Sequence, residues 1–365
     1  MSPIQVISDA ISPPKNVQEF DLPVSPFDPA IHLDYKPPAT RHSFTELGLP
    51  VPKGCPDICF VEPFQLFTAE GIRMIRREVF RKSFLDKFLR SWERAPCIIG
   101  GHANLEDEGK FISQTWHHPA TQAAVNDAFG CPLSHQLGEN DLGYINVQLG
   151  SEGLAGVYKL RETPSKPLPK SEKLPSSVYD DVPVDKWHKD MTPVTVVLML
   201  SDTSTMVGGE TAVKTGDGRV IKSRGTAIGG AIIIAGGYAE HAALRAENCP
   251  ERLTMTACFS YADPNADDSA TTLKSVNPRF DNMEDTLDTF MLQKVRRLRD
   301  RCDLALARIE ERRANHEMVT KEEVEPWVKD QIQLLKHTCW EMFERVPNHL
   351  GREIPVHALE KYLEA

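Results

Sequence analysis

The middle of the chain alternates between short apolar runs and turn residues, a pattern typical of β-strands that follow one another without helices between them. Glycine pairs and polar turns divide these runs, and each run has the length of a strand. We therefore predict an antiparallel sandwich or barrel rather than a parallel sheet with crossover helices. The predicted strands span residues 144–149, 194–200, 211–214, 227–234 and 253–261.

Helical spacing flanks this region on both sides. Apolar residues recur every three or four positions after Thr68, whose hydroxyl suits an N-cap, and a second short helix is predicted over residues 119–129. After Asn282 the chain again turns helical, and a further helix is predicted over roughly residues 321–345. We interpret these last helices as an amphipathic cap over the barrel, with an oligomerisation surface as the alternative. Their first apolar stripe comprises Leu287, Phe290, Met291, Val295, Leu298, Leu304 and Ile309.

Proline marks the boundaries of the predicted regions. The first 60 residues carry eleven prolines, which favours an extended arm on the surface. The core is predicted over residues 61–270 and a helical extension over residues 271–365. Within the core, residues 161–185 form a long connection rich in proline and lysine. Connections of this length are commonly functional lids, and we predict a lid here.

Composition excludes several classes of function. The chain of 365 residues, with a hydrophobic share of 41% and a charged share of 26%, fits one large soluble core with helical additions. A net charge of −10 argues against a nucleic-acid partner. No run of 18 apolar residues predicts a membrane span, and no secretory signal is visible. The eight cysteines are therefore interpreted as reduced thiols, and we expect a cytoplasmic protein.

His188 and Asp190 are the first candidate metal ligands. Two residues apart on an extended strand, their side chains point to the same side. Oxygen activation by iron(II) uses two histidines and one carboxylate on one face of the metal. The spacing is not specific by itself, because His32 and Asp34 show it too. That second pair lies in the proline-rich arm, where we expect it on the surface.

A third ligand and a carboxylate-binding pair follow later in the chain. His241 comes 51 residues after Asp190, just beyond an apolar run and a glycine pair. Arg252, eleven residues further on, is suited to a bidentate grip on a carboxylate. Thr254 shares its strand face and could donate a hydrogen bond to the same group.

A strand of alternating polar residues supplies further candidates. Tyr144, Asn146 and Gln148 share one face, opposite Ile145 and Val147. Polar side chains that face into a barrel are costly unless they meet a ligand. We therefore predict that they line the cosubstrate or substrate pocket; an outward, solvated face is the alternative.

The combined pattern resembles the iron(II)/2-oxoglutarate-dependent oxygenase superfamily, in which H-x-D is followed by a distant H and then by R-x-S/T. The resemblance covers roughly residues 60–262. It implies a mainly β fold with flanking α-helices, built on a double-stranded β-helix (jelly-roll) core with a C-terminal helical extension. It also implies Fe(2+) held by His188, Asp190 and His241, and 2-oxoglutarate held by Arg252 and Thr254, with O2 as the other cosubstrate.

The implied activity is that of a non-haem dioxygenase that oxidises an unactivated C–H bond of a small molecule and releases succinate and CO2, in specialised metabolism. Residues 115–119 and 143–148 are similar to fungal small-molecule oxygenases, some of which act on free amino acids, including aziridine-forming enzymes. One alternative is the same chemistry ending in oxidative cyclisation, with C–N bond formation, or in desaturation. A second is a non-catalytic jelly-roll protein that binds a partner through its C-terminal helices.

Overall fold

The protein is described by a computed structural model over residues 19–91, 97–100, 108–135, 142–149, 153–162, 183–225, 227–276, 281–345 and 356–364. Antiparallel sheets form its centre, and helices flank them. The strands are β1 (Arg41–His42), β2 (Phe60–Gln65), β3 (Leu89–Arg90), β4 (Ile98–Ile99), β5 (Leu133–His135), β6 (Leu142–Gln148), β7 (Pro183–His188), β8 (Val194–Met199), β9 (Val207–Gly208), β10 (Thr211–Lys214), β11 (Val220–Ser223), β12 (Gly230–Ile234), β13 (His241–Leu244), β14 (Ala246–Glu247) and β15 (Arg252–Tyr261).

The helices lie before, between and after the strands. They are α1 (Pro29–His32), α2 (Ala69–Val79), α3 (Lys82–Phe88), α4 (Lys110–His117), α5 (Pro119–Phe129), α6 (Gly153–Glu162), α7 (Met283–Ala314), α8 (Lys321–Cys339) and α9 (Val356–Glu364). A 3-10 turn spans Glu19–Asp21, and a π-helical turn spans Trp340–Arg345. In the part of the chain that the structure describes, none of these helices is long and apolar enough to cross a membrane.

Two sheets stack against each other. The larger runs in the order β1-β2-β12-β8-β15-β6-β4-β3, with β5 also paired to β15, and the smaller runs β11-β10-β13-β7. The strand pairs within both sheets are antiparallel. The prediction of antiparallel strands is confirmed, but α6 lies between β6 and β7, where no helix was expected. A short ladder of β9 and β14 lies beside them.

The central strand β12 shows how the larger sheet divides the core. Its side chains alternate between the two faces, as a strand requires, and all five residues are buried. Ala231 and Ile233 belong to a cluster shared with helices α2, α4 and α5. Ile232 and Ile234 belong to a second cluster with Val213 of the smaller sheet. An apolar run without alternation is therefore buried on both sides.

Strand β15 carries the same division into the site. One face contributes Leu253, Met255, Ala257 and Phe259 to the helix-side core. The opposite face presents polar side chains to a cavity beside the smaller sheet, namely Arg252, Thr254, Thr256 and Cys258. The gap between the two sheets thus holds the polar groups, while the helix side of the larger sheet is filled by apolar packing.

Two N-terminal helices follow the sequence signals closely. Thr68 caps α2, its hydroxyl accepting from the amide of Gly71 at 3.0 Å. Helix α5 spans the predicted residues 119–129 and ends at Gly130, whose φ of 99° suits glycine. Helices α3 and α4 were not predicted, because neither has a side-chain N-cap and both are short.

The prediction that His32 lies on the surface is wrong. His32 is 1% exposed and its ring packs against Phe27 and Phe111. Its Nδ1 accepts a hydrogen bond from the amide of Asp28 at 2.9 Å, which uses the imidazole in a local turn. Residues 1–18 of the predicted arm lie outside the described residues.

The predicted lid over residues 161–185 also falls largely outside the described part, which lacks residues 163–182. The chain before this gap forms α6, and the chain after it forms β7. The lid therefore stays a prediction.

The C-terminal helices dock through an apolar cluster at Phe290 and, beyond it, through charged side chains, whereas a wholly apolar cap was predicted. Helix α7 begins after Asn282, as expected, and buries Phe290. Its other large buried residues are charged: Lys294, Arg297 and Arg301. Most of the predicted apolar stripe is exposed instead.

The physical reason lies in the segment that follows β15. Lys294 forms an ion pair with Asp268, and their side chains are 2% and 4% exposed. Arg297 donates to the carbonyl of Ala266 at 2.6 Å, and Arg301 donates to the carbonyl of Pro264 at 2.5 Å. Buried carbonyls and a buried carboxylate need donors, and α7 supplies them.

We expect Lys294→Met to lower the free energy of unfolding by about 3 kcal/mol, because the Asp268 carboxylate would stay buried without its closest cation. Replacing both partners (Lys294→Met with Asp268→Leu) should restore most of the loss, since no buried charge is then left alone. Urea denaturation measures both. Lys36→Met, which breaks an exposed ion pair with Asp34, is the control and should change little. A Lys294→Met variant as stable as the wild type would contradict this account of docking.

Candidate metal and cosubstrate site

The end of β7 and the start of β13 place two histidines directly opposite each other. His188 pairs with His241 in the antiparallel register, and their ring centroids are 4.4 Å apart. Each Nδ1 lies against a backbone carbonyl two residues earlier, Lys186 O at 2.6 Å and Ala239 O at 3.0 Å. Because a carbonyl only accepts, each Nδ1 carries the proton and each Nε2 is left as a lone-pair donor. The backbone therefore prepares both rings for metal ligation.

Asp190 completes a three-ligand cluster. Its Oδ1 lies 3.3 Å from His188 Nε2 and 3.4 Å from His241 Nε2. One ligand atom from each residue falls within 4.8 Å of the others, close enough to hold one metal ion. The strand ends at His188, so Asp190 stands in the bend beyond it. Two imidazoles and one carboxylate on one side of a metal leave further coordination positions open.

Thr195 on β8 holds the other carboxylate oxygen. Its Oγ1 donates to Asp190 Oδ2 at 2.7 Å, which leaves Oδ1 directed at the two imidazoles. The Asp190 amide also donates to the carbonyl of Gly236 at 2.8 Å. The sequence analysis missed Thr195; its one signal was a hydroxyl within an otherwise apolar strand.

The Asp190 carboxylate packs directly against the backbone of Gly236. A Cβ at this position would lie 2.1 Å from Asp190 Oδ2 and 3.2 Å from His241 Cε1. No real side chain tolerates the first contact, so the position requires glycine for space. The glycine pair was used in the sequence analysis only as a turn signal.

The protonation of Asp190 and of His241 depends on their contact with each other. Burial alone would raise the pKa of Asp190, but the nearby His241 and His188, by charge and hydrogen bonding, hold it well below its usual range. Burial would lower the pKa of His241, but Asp190 outweighs burial and raises it. The carboxylate is therefore ionised at neutral pH, as a metal ligand must be.

Arg252, at the start of β15, is a buried cation. It is 2% exposed, its Nε donates to the carbonyl of Gly209 at 2.9 Å, and its Nη1 lies 3.4 Å from Thr254 Oγ1. Burial lowers the pKa of Arg252 to about 10, which leaves it charged at neutral pH. Among the ion pairs of the described residues, none includes Arg252. Glu210 and Asp185 favour its charge from nearby without pairing with it. A buried cation outside an ion pair is costly, so this guanidinium fits a bound carboxylate.

The turn at Gly209 fixes the position of the Arg252 side chain. Gly209 has a φ of 74°, and a Cβ there would lie 3.0 Å from Met206 Sδ and 3.2 Å from Arg252 Cδ. The turn brings the Gly209 carbonyl to Arg252 Nε while the rest of the guanidinium faces the cavity. Glycine is needed here for both conformation and space.

One cavity connects the triad with Arg252 and Thr254. Together with the solvent space at its mouth, it has a volume of about 980 Å³. Tyr144 and Asn146 line it, as does Thr256. Gln148 does not; its Oε1 accepts from the amide of Ala246 at 3.2 Å. The opposite face of β6 is buried in the core through Ile145 and Val147.

Comparison with known proteins adds similarities without a family assignment. No family model matches the chain, and no curated protein matches it. A prolyl-4-hydroxylase of Pseudomonas putida is 18% identical over 53% of this chain and 88% of its own, with a TM-score of 0.29. A prolyl 4-hydroxylase of Phytophthora capsici is 16% identical over 91% and 96%, with a TM-score of 0.33.

A third similar structure comes from Burkholderia pseudomallei and belongs to the 2OG-Fe(II) oxygenase family. It is 15% identical over 47% of this chain and 63% of its own, with a TM-score of 0.27. TM-scores of this size do not establish a shared fold. The residues of this chain place three metal-ligating atoms in one cavity with a buried guanidinium that belongs to no ion pair of the described residues.

We expect Thr195→Val to weaken metal binding about 10- to 100-fold, because Asp190 Oδ2 loses its donor and the carboxylate can turn away from the imidazoles. Thr195→Ser keeps the hydroxyl and should stay close to the wild type. The measurement is anaerobic titration calorimetry with iron(II). Thr121→Val is the matched control, because Thr121 is similarly buried and its hydroxyl has no hydrogen-bond partner among the described residues. Equal affinity in Thr195→Val and wild type would show that the contact does not position the ligand.

Proposed function

We propose that this protein is an iron(II)- and 2-oxoglutarate-dependent oxygenase that oxidises an unactivated C–H bond of a small molecule and releases succinate and CO2. The observation that carries the proposal is the single cavity lined by the His188–Asp190–His241 cluster and by the unpaired Arg252. A metal triad alone would suit several metals and reactions. A carboxylate-binding cation in the same cavity narrows the choice to a metal used together with an acidic cosubstrate.

The donor set fits iron(II). Two neutral imidazoles and one monodentate carboxylate are the ligands of non-haem oxygenases, and they leave positions for a chelating cosubstrate and oxygen. A structural zinc site would use four protein ligands, and the described residues around this cluster supply three. With iron(II), 2-oxoglutarate and oxygen bound, the site would supply the oxidising equivalent for C–H cleavage.

Arg252 and Thr254 fit the distal carboxylate of 2-oxoglutarate. A guanidinium can bind a carboxylate through two parallel hydrogen bonds, and the Thr254 hydroxyl lies beside it. Both are 2% exposed, so the bond would form in a low dielectric, where charge pairing is strong. The fixed Gly209 contact holds the guanidinium before the ligand arrives.

The remaining walls fit a small substrate. Tyr144 and Asn146 stand on β6 opposite Thr256 and Thr254 of β15, so polar groups of two adjacent strands face the cavity. They can orient a substrate by hydrogen bonds. Ile98, Met191 and Val197 add apolar surface, which favours a dry reaction site.

The fold supports the same proposal. We propose that the larger and smaller sheets form the two halves of a double-stranded β-helix, with the ligands at the open end between them. Supporting this, His188 and His241 come from adjacent strands of the smaller sheet, while Arg252 comes from the larger one. The site thus spans the gap between the sheets.

We expect anaerobic addition of iron(II) and 2-oxoglutarate to produce a visible charge-transfer band in the wild type and none in His241→Ala or Asp190→Ala. Calorimetry with iron(II) alone should show loss of metal binding in the same variants. A wild-type protein with no band and no iron binding would contradict the proposal and would favour a non-catalytic binding protein.

A screen for succinate release, beginning with amino acids, then identifies the substrate. The product mass separates hydroxylation from cyclisation or desaturation.

We expect Arg252→Met to raise the Kd for 2-oxoglutarate about 10- to 100-fold while iron(II) binding stays near the wild type, because a charge-assisted hydrogen-bond pair contributes roughly 1.5–3 kcal/mol. Arg224→Met is the control: Arg224 contacts the same glycine turn through the Gly208 carbonyl but does not line the main cavity. An unchanged Kd for 2-oxoglutarate in Arg252→Met would show that a cation other than Arg252 binds its carboxylate.

A further inference from the structure

The hairpin of α7 and α8 presents a regular apolar stripe to solvent. On α7 the stripe consists of Met291, Val295, Leu298, Cys302, Ala305 and Ile309. The intervals along it are four, three, four, three and four residues, which is the spacing of the a and d positions of a coiled coil. Met291 is 41% exposed, Val295 47% and Ile309 36%. Cys302 is exposed as well.

This stripe is distinct from the face that docks on the core. Lys294, Arg297 and Arg301 meet the core through Asp268 and the carbonyls of the segment after β15. They flank the stripe on one side, so the stripe cannot turn inward without breaking buried ion pairs. An apolar seam of this kind on a 32-residue helix fits a helical partner rather than the protein's own core.

The second helix of the hairpin extends the apolar surface. Val324, Val328, Ile332 and Leu335 of α8 recur at intervals of four, four and three residues, and each is at least 40% exposed. The polar and apolar residues on the other side of α8, including Gln331 and Leu334, are buried. Both helices of the hairpin therefore bury one side against the body of the protein and expose a row of apolar side chains on another.

We propose that this face is the dimer interface of the protein, and that the α7 stripe pairs with the α7 stripe of a second copy in antiparallel orientation. A two-fold axis near residue 300 would place Met291 against Ile309, Val295 against Ala305 and Leu298 against Cys302 of the other copy. Each pair joins a larger side chain with a partner of equal or smaller size. A face that matches itself in this way forms a closed, isologous dimer.

Charges at the two ends favour the antiparallel orientation. The same heptad position beside the stripe holds Asp285 near the start of α7 and Arg313 near its end. Neither takes part in an ion pair of the described residues. An antiparallel pair would bring Asp285 of one copy to Arg313 of the other, twice. A parallel pair would not. Arg299, close to the axis, is neutralised within its own chain by Asp300 and Asp303.

The available area is of the right size. The exposed parts of the large apolar side chains on this face amount to on the order of 700 Å² in each copy, close to the roughly 800 Å² that each partner contributes to a standard interface. Apolar patches above a few hundred Å² are unusual on the surface of monomers. The site cavity is not part of this face.

The test is sedimentation velocity of the full-length protein from 1 to 100 μM (about two decades, to span a micromolar Kd). We expect a dimer in the wild type and a monomer in Val295→Glu with Ile309→Glu. Leu304→Glu is the matched control, because Leu304 lies on α7 and is 41% exposed but is not one of the six a and d positions named above; this variant should remain a dimer. A wild type that is monomeric at every concentration, or a double variant that still dimerises, would overturn the proposal.

The orientation has its own test. Asp285→Arg alone and Arg313→Asp alone should each weaken the dimer, and the two together should restore it. Leu298→Cys should give a disulfide-linked dimer under oxidation, through Cys302 of the other copy, while the wild type should not. Cross-linking of the wild type with no gain in Leu298→Cys would indicate a parallel pair and overturn the antiparallel arrangement. Circular dichroism of each variant checks that the helices remain folded.

Discussion

The pairing of β7 with β13 is the constraint on which the site depends. It places one imidazole opposite the other, and the carbonyls of the same two strands hold both rings in the tautomer that frees Nε2. The bend after His188 then returns Asp190 to the same point. Nothing at the triad depends on a long flexible side chain. A shift of one residue in this register would turn one imidazole to the other face of the sheet.

The two charged parts of the cavity differ in how closely they are paired. Asp190 lies beside the two imidazoles and accepts from Thr195, while Arg252 donates to the Gly209 carbonyl and the Thr254 hydroxyl and feels Glu210 and Asp185 without forming an ion pair with either. Burial of the Arg252 guanidinium outside an ion pair lowers the free energy of unfolding. An anion that pairs with Arg252 removes this penalty, which adds to the favourable free energy of anion binding. The cavity is therefore biased toward an acidic ligand even before a metal is considered.

The sequence predicted those features that depend on local spacing. The alternation in β6, the cap at Thr68, the bounds of α5 and the grouping of His188, Asp190 and His241 all follow from short-range patterns or from the joint motif. Thr195 and Gly236 were missed because their roles arise from contacts with residues five or more positions away in the chain, around a bend. The docking face of α7 was predicted only in part: Phe290 is buried, but most of the predicted stripe is exposed and charged residues are buried instead. Helical periodicity identifies an apolar side but does not say whether that side packs on the protein's own core or on another molecule. In α7 the charged side is buried because it pairs with Asp268 and donates to buried carbonyls.

The contact between Gly236 and Asp190 separates the architecture of this protein from its chemistry. Strand β12 and its apolar neighbours end just before Gly236, and they pack through side chains that the carboxylate does not touch. A single added methyl group would occupy the space that the ligand needs while leaving those neighbours in place. We therefore expect a methyl group at position 236 to remove the place of the Asp190 carboxylate and leave the sheets folded, so that one carbon atom separates the geometry of the triad from the stability of the fold.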